Sequence, residues 1–295
     1  MPPIEPYQVT KNRLSPYNLM VIQSVSLTVK DYKSNIPVAI LCGGKGTRLR
    51  EETEFRPKPM IAIGNRPIIW HIMKTYAHYG LTDFMLCLGY KGEMIRDYFF
   101  SYDWNQSDVL LELGNKKVTK LDSGHDEEDW RIWLVDTGQE TMTGGRLKRL
   151  TSYIGQSGSD IFLATYGDGV CDVNIADLLD FHYSHGKLAT LTAVRPPSRF
   201  GELVIEDNLV TQFQEKPQTS EGWINGGYFV LNRKVLDLIE GDATVFEAQP
   251  LRTLAALGEL AVYRHDGFWQ CMDTYREMEV LNHLYDTGQA RWKIW

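Results

Sequence analysis

The sequence predicts an α/β fold, a doubly wound, mainly parallel mixed sheet covered by helices on both faces. Two observations carry this expectation. Short apolar runs at residues 38–42, 83–88 and 161–166 alternate with stretches of helical period, and each run ends in a glycine-containing turn: Gly43-Gly44, Gly89 and Gly167-Asp168-Gly169. A chain of 295 residues with 43% hydrophobic content can build one large domain with a substantial core.

The elements follow in order. The run Val38-Ala39-Ile40-Leu41-Cys42, bounded by Pro37 and glycines, reads as a buried parallel strand. Residues 67–79 read as a helix, because Ile69, Ile72, Met73 and Tyr76 recur at i, i+3, i+4 and i+7 and Gly80 stands where a helix stops. His71 and His78 on that helix suit a core edge and a surface better than a metal. A strand over 83–88 and a helix over 93–102 continue the alternation. Residues 108–136 interrupt it with three β runs and an acidic loop, a β excursion from the main sheet. Helix returns over 145–154, strand over 161–166, helix over 174–185 capped by Asn174, and strand over 187–194. His182 and His185 are expected on the surface. Strands over 203–205, 209–214 and 227–231 form a β-rich elaboration; helices over 233–239 and 245–257, a strand over 260–265 and a helix over 275–285 complete a domain spanning 37–295.

Bulk properties exclude several functions. A net charge of −7 argues against a nucleic-acid binder, which carries a broad basic face. No run of eighteen apolar residues marks a membrane span. Cys42, Cys87, Cys171 and Cys271 form no C-x-x-C pair and suit buried thiols in a reducing cytoplasm. Residues 1–36 form a proline-containing extension without a clean signal-peptide pattern. They read either as an arm that packs on the core or a neighbouring subunit, or, given Met20, as an over-long N-terminus.

The chemistry begins at Gly43-Gly44-Lys45-Gly46-Thr47-Arg48-Leu49, followed by Lys58-Pro59-Met60. Glycines let a backbone approach an anionic ligand and aim N–H groups at it, and Arg48 and Lys58 add positive charge. No Gly-Lys-Ser or Gly-Lys-Thr occurs, which excludes a P-loop, and the third glycine of a dinucleotide fingerprint is missing. A tight turn with two surface cations would read the same way in isolation.

Further segments decide the matter. Gly89-Tyr90-Lys91-Gly92, Val135-Asp136-Thr137-Gly138, Met142-Thr143-Gly144-Gly145-Arg146, Tyr166-Gly167-Asp168-Gly169, Glu215-Lys216-Pro217, Ile224-Asn225-Gly226-Gly227, Met272-Asp273-Thr274 and the closing Trp292-Lys293-Ile294-Trp295 join the loop. Together they resemble the sugar-1-phosphate nucleotidylyltransferases, and among them the glucose-1-phosphate cytidylyltransferases, over about residues 38–295. The resemblance implies a Rossmann-like nucleotidyltransferase fold and transfer of a nucleotidyl group from CTP to glucose 1-phosphate. It implies Arg48 and Lys58 as catalytic cations. Gly43, Gly44, Gly46, Thr47, Arg48, Thr143, Gly144, Gly145 and Arg146 would bind nucleotide; Tyr166, Gly167, Glu215, Lys216, Asn225 and Gly226 would bind the sugar phosphate. Asp168 and Asp273 would hold Mg²⁺. Taken alone, each aspartate suits a turn or a helix cap equally well. The resemblance further implies a homo-oligomer, a trimer or hexamer, to which the acidic loop, the N-terminal arm or the Trp-rich tail could contribute. Three residues depart from the pattern: Lys45 and Arg56 add cations near the loop, and Cys271 replaces a proline before Met272-Asp273.

Overall fold

The computed structural model describes residues 36–102, 108–114, 117–121, 129–196, 202–206, 209–214 and 222–295. The N-terminal extension up to residue 35, the acidic loop at 122–128, and Glu215 with Lys216 lie outside the described residues.

Seven strands form the central sheet: β1 (Val38–Leu41), β2 (Asp83–Leu88), β5 (Arg131–Asp136), β6 (Ile161–Tyr166), β8 (Ala189–Val194), β11 (Ile224–Asn232) and β12 (Leu260–His265). Their order is β12-β8-β11-β6-β1-β2-β5. β1 pairs in parallel with β2 and β6, β2 with β5, and β8 with β12; only β11 runs antiparallel to its neighbours. Between β2 and β5, a separate hairpin of β3 (Val109–Glu112) and β4 (Lys117–Lys120) stands off the sheet. The β excursion is thus narrower than the sequence suggests. Arg131–Asp136 is a parallel edge strand of the main sheet, half-exposed along most of its length.

Strand alternation divides the core in two. Val38 and Ile40, with Phe84, Leu86 and Leu163, face one layer, which includes α1 (Ile68–His78), α5 (Ile175–His185) and α7 (Tyr275–Asp286). Ala39, Met85, Cys87, Phe162 and Phe229 face the other, where α3 (Thr143–Arg149), α4 (Thr151–Gln156) and α6 (Gln249–Ala256) pack. The helix expected over 145–154 is two helices, broken around Leu150, and 233–238 is a 3-10 turn. Asn174 caps α5 as expected, its side chain accepting from the Ala176 and Asp177 N–H groups. His182 departs from expectation: it is buried, with Nδ1 2.8 Å from the Thr190 hydroxyl. His71 is likewise buried, and its Nε2 lies 3.0 Å from the Ile63 carbonyl. The C-terminal tail packs on α1, with Trp292 fully buried and its indole N–H toward His71 Nδ1. The tail's main aromatic anchor is therefore used within the chain.

This topology positions a site. The parallel strands β1, β2, β5 and β6 all end at one edge, and antiparallel β11 begins there, so their connecting loops converge at the carboxyl edge of the sheet.

Candidate active site

Two adjoining clefts open at this edge. The first, of about 370 Å³, is lined by the loop after β1 (Gly43, Gly44, Gly46, Thr47, Arg48), by Lys58, and by Met142, Thr143 and Arg146. The second, of about 250 Å³, is lined by Asn225, Gly226, Trp269, Cys271 and Asp273. Arg48, Tyr166 and Asp168 border both.

A small antiparallel ladder brings the two distant aspartates together. β7 (Gly169–Cys171) pairs with β13 (Trp269–Cys271), with Cys271 opposite Gly169, and the Met272 N–H donates to the Asp168 carbonyl at 2.8 Å. Asp168 thus immediately precedes one strand and Asp273 follows the other by two residues. Cys271, which stands in place of a proline, sits in register within the ladder. The Trp269 indole N–H donates to the Gly226 carbonyl at 2.8 Å, tying the ladder to the start of β11.

Lys58 stands between the aspartates. The Pro57-to-Met60 turn buries its side chain, and its ammonium donates to Asp168 Oδ2 at 2.7 Å and to Asp273 Oδ1. Arg48 donates to the other Asp273 oxygen. Burial works against the Lys58 charge, but the two carboxylates outweigh it, and the ammonium is held above the ordinary lysine range. Lys45 and Arg56, the additional cations, pair instead with Glu140 and Glu52.

The segment from Thr143 to Arg146 has internal partners that its sequence does not announce. The Arg146 guanidinium is buried and donates to the carbonyls of Gly43 (3.0 Å), Leu88 (3.1 Å), Gly138 (2.7 Å) and Gln139 (3.3 Å) and to the Thr137 hydroxyl (2.8 Å). It therefore ties together the loops after β1, β2 and β5. Burial pushes its pKa down from the usual arginine value. Gly43 lies so close beneath this guanidinium that a Cβ there would overlap it. Gly144 and Gly145 are buried and stand back from both clefts. The loop at 241–247 docks against them: the Gly144 N–H donates to the Thr244 carbonyl at 2.9 Å, and a Cβ on Gly145 would come 2.6 Å from Asp242. These two glycines are required by backbone approach.

Glu247, which reaches the clefts through Thr143 and Tyr166, is a residue that sequence patterns do not single out, and Trp269 lies in the segment Gly267-Phe268-Trp269-Gln270, which shares in the resemblance without a role of its own. The sequence reading puts Glu247 inside a helix over 245–257, but that helix begins at Gln249, leaving Glu247 on the approach to it. Trp269 belongs to a three-residue strand too short to give an alternation signal.

The nucleotidyl transferase family profile matches residues 38–270. The chain is 51% identical over 257 residues to the glucose-1-phosphate cytidylyltransferase of Salmonella typhi, covering 87% of this chain and 98% of that protein. It is 32% identical over 253 residues to the mannose-1-phosphate guanyltransferase of Pichia angusta, covering 83% of this chain and 62% of the relative. The fold is similar to that of the crystal structure of HddC from Yersinia pseudotuberculosis, with a TM-score of 0.63 at 20% identity over 85% of this chain and 99% of that one. The chain belongs to the nucleotidyl transferase family and, within it, to the glucose-1-phosphate cytidylyltransferases.

Proposed function

We propose that the protein transfers the cytidylyl group of CTP to α-D-glucose 1-phosphate, giving CDP-glucose and pyrophosphate. The observation that carries this reading is the convergence of Lys58, Asp168 and Asp273 where two clefts meet, in a chain 51% identical to a glucose-1-phosphate cytidylyltransferase. A sugar-phosphate oxygen attacks the α-phosphorus of the nucleotide and a new P–O bond forms. The bond to the β-bridging oxygen breaks, and its electron pair leaves with pyrophosphate. The second pKa of a phosphate monoester is about 6, so the nucleophile is already ionised and no strong base is required. Consistent with this, neither cleft is lined by a histidine among the described residues. Catalysis then rests on holding two anions in line and neutralising charge.

On this reading Gly43, Gly44, Gly46, Thr47 and Arg48 hold the triphosphate, with the Arg146 charge behind Gly43 and Lys58 reaching the reacting phosphates. Tyr166, Asn225 and Gly226 line the second cleft and face the sugar phosphate, joined by Glu215 and Lys216 on the strength of the resemblance, whereas Gly167 lines the first cleft beside Asp168. Asp168 and Asp273 suit a divalent cation, since two carboxylates already converge on one positive group, and Mg²⁺ binds through one or two carboxylates plus phosphate and water. Bound there, Mg²⁺ would supply Lewis-acid neutralisation of phosphoryl charge. No described helix is long and apolar enough to cross a membrane; we place the enzyme in the cytoplasm, as a homo-oligomer of three or six subunits.

Pyrophosphate release measured with CTP, UTP, dTTP and GTP against several sugar 1-phosphates tests the reading. Fastest turnover with CTP and glucose 1-phosphate is expected. Turnover with UTP, dTTP or GTP but not CTP would assign the base differently, and no turnover with any pair would make the chain a non-catalytic relative.

A further inference from the structure

A hydrogen-bonded chain runs along the wall between the two clefts, separate from the cations and the paired aspartates. Glu247 is its centre: one carboxylate oxygen accepts from the Tyr166 hydroxyl and the other accepts from the Thr143 hydroxyl at 2.6 Å. The Phe246 N–H donates to the Thr143 oxygen at 2.9 Å. On the other side, Asn225 Nδ2 donates to the Tyr166 oxygen at 3.3 Å, and the Gly227 N–H donates to Asn225 Oδ1 at 2.8 Å.

From Gly227 to Glu247 the direction of each bond is determined by the Gly227 end, and Thr143 donates because a carboxylate only accepts. Both ends are backbone N–H groups, which can only donate. Gly227 N–H fixes Asn225 Oδ1 as an acceptor, so the amide nitrogen must face Tyr166. The Tyr166 oxygen then accepts, and its proton goes to Glu247. Burial first, and then the Glu247 charge, push the Tyr166 phenol up, which keeps it protonated and able to donate. Two hydroxyl donors need two acceptor oxygens, and a carboxylate supplies them where an amide supplies one. This accounts for an acidic side chain beside a site for two polyanions, where its charge is otherwise unfavourable.

We propose that Glu247 is a positioning residue: by accepting the Tyr166 proton it holds the Tyr166 hydroxyl as the acceptor for Asn225 Nδ2, and so fixes the place of Asn225 in the sugar-phosphate cleft. The inference rests on the CTP and glucose 1-phosphate reading above. In Glu247→Gln the volume is kept, but an N–H replaces one acceptor oxygen. Where that N–H faces Tyr166, the Tyr166 proton must turn toward Asn225, in conflict with Gly227. In Glu247→Ala both hydroxyls lose their acceptor.

The test is a double-mutant cycle of Glu247→Ala and Tyr166→Phe, with Glu247→Gln alongside, read as separate KM values for the two substrates in pyrophosphate release and as melting temperature. Loss of the positioned amide is expected to raise the KM for glucose 1-phosphate about tenfold, with the KM for CTP changing less than about threefold. Tyr166→Phe should add little in the Glu247→Ala background, because both act through one chain. If Glu247→Ala folds poorly, Glu247→Leu, which keeps the volume and offers no acceptor, carries the KM comparison alone. Wild-type KM values in Glu247→Ala, equal rises for both substrates, or fully multiplicative effects in the cycle would overturn the proposal. Failure of the substrate reading is distinguishable, since it would show as a wild-type enzyme inactive on this pair.

Discussion

Replacing Arg146 with Met separates a structural clamp from a base reader. Its guanidinium makes five hydrogen bonds, four of them to backbone carbonyls. The Leu88 carbonyl keeps the Thr137 N–H as a donor, and the Gly43 carbonyl keeps the Tyr90 N–H. Among the described residues, the Gly138 and Gln139 carbonyls have Arg146 as their hydrogen-bond donor. A carbonyl that loses its partner in a partly buried site costs about 1–3 kcal/mol, and weakening of the other three bonds adds to it. A total of about 3–5 kcal/mol corresponds, for a domain of this size, to a melting temperature lower by roughly 10 °C. Differential scanning fluorimetry with and without CTP, alongside the KM for CTP, makes the measurement. A lowered Tm together with a raised KM is expected, since the loop carrying Gly43 loses its anchor. A Tm within about 2 °C of wild type, with only the KM raised, would refute the clamp and make Arg146 a nucleotide contact alone.

The other expectations concern charge. Asp168→Asn removes one of two carboxylates from the candidate metal site. It is expected to lower kcat at limiting Mg²⁺ by on the order of 100-fold, with partial recovery as Mg²⁺ is raised; unchanged Mg²⁺ dependence would contradict the assignment. Burial holds His71 and His182 neutral, with pKa values lowered to about 4. Below about pH 6.5 the unfolded chain takes up protons that the native state refuses, so stability is full above that pH and drains as pH falls toward 4. At pH 5 each histidine costs roughly 2 kcal/mol, and thermal melts between pH 7.5 and 5 should show a falling Tm. A flat profile would argue against burial as the dominant influence on these rings.

The strands at Val38–Leu41, Asp83–Leu88, Ile161–Tyr166 and Leu260–His265 were legible because each is a compact apolar run closed by turn residues. Arg131–Asp136 reads as part of the β excursion because its apolar run Ile132 to Val135 does not say which sheet it joins, and it follows two short β runs and an acidic loop rather than a helix. The Gly-rich loop and Lys58 stand out by residue type as a candidate phosphate cradle, and the resemblance separates that reading from an ordinary turn. The meeting of Asp168 with Asp273 could not be read from spacing, since it depends on two three-residue strands, and only the resemblance linked them. Thr143, Gly144, Gly145 and Arg146 stood out as a group, but periodicity cannot distinguish a glycine that admits a ligand from one that admits another loop. That distinction appears only when Thr244 and Asp242 are found against Gly144 and Gly145. Glu247 was hidden for a related reason: an acidic residue ahead of a Gln-Pro helix start looks like a helix N-terminal acid.

The arrangement of charge around Lys58 constrains the order of events on the proposed reading. In this structure two cations, Lys58 and Arg48, are balanced by two carboxylates, Asp168 and Asp273, so the cluster is neutral and the buried lysine is compensated. A triphosphate arriving alone would meet cations already engaged, with two carboxylates behind them. A divalent cation arriving alone would have to displace Lys58 and Arg48 from those carboxylates without offering either a new anion. When both arrive, the carboxylates pass to the metal and the released cations to the phosphates, and every charge keeps a partner. Binding of nucleotide and metal should therefore be mutually reinforcing, because each leaves the cluster with unpaired charge when it binds alone.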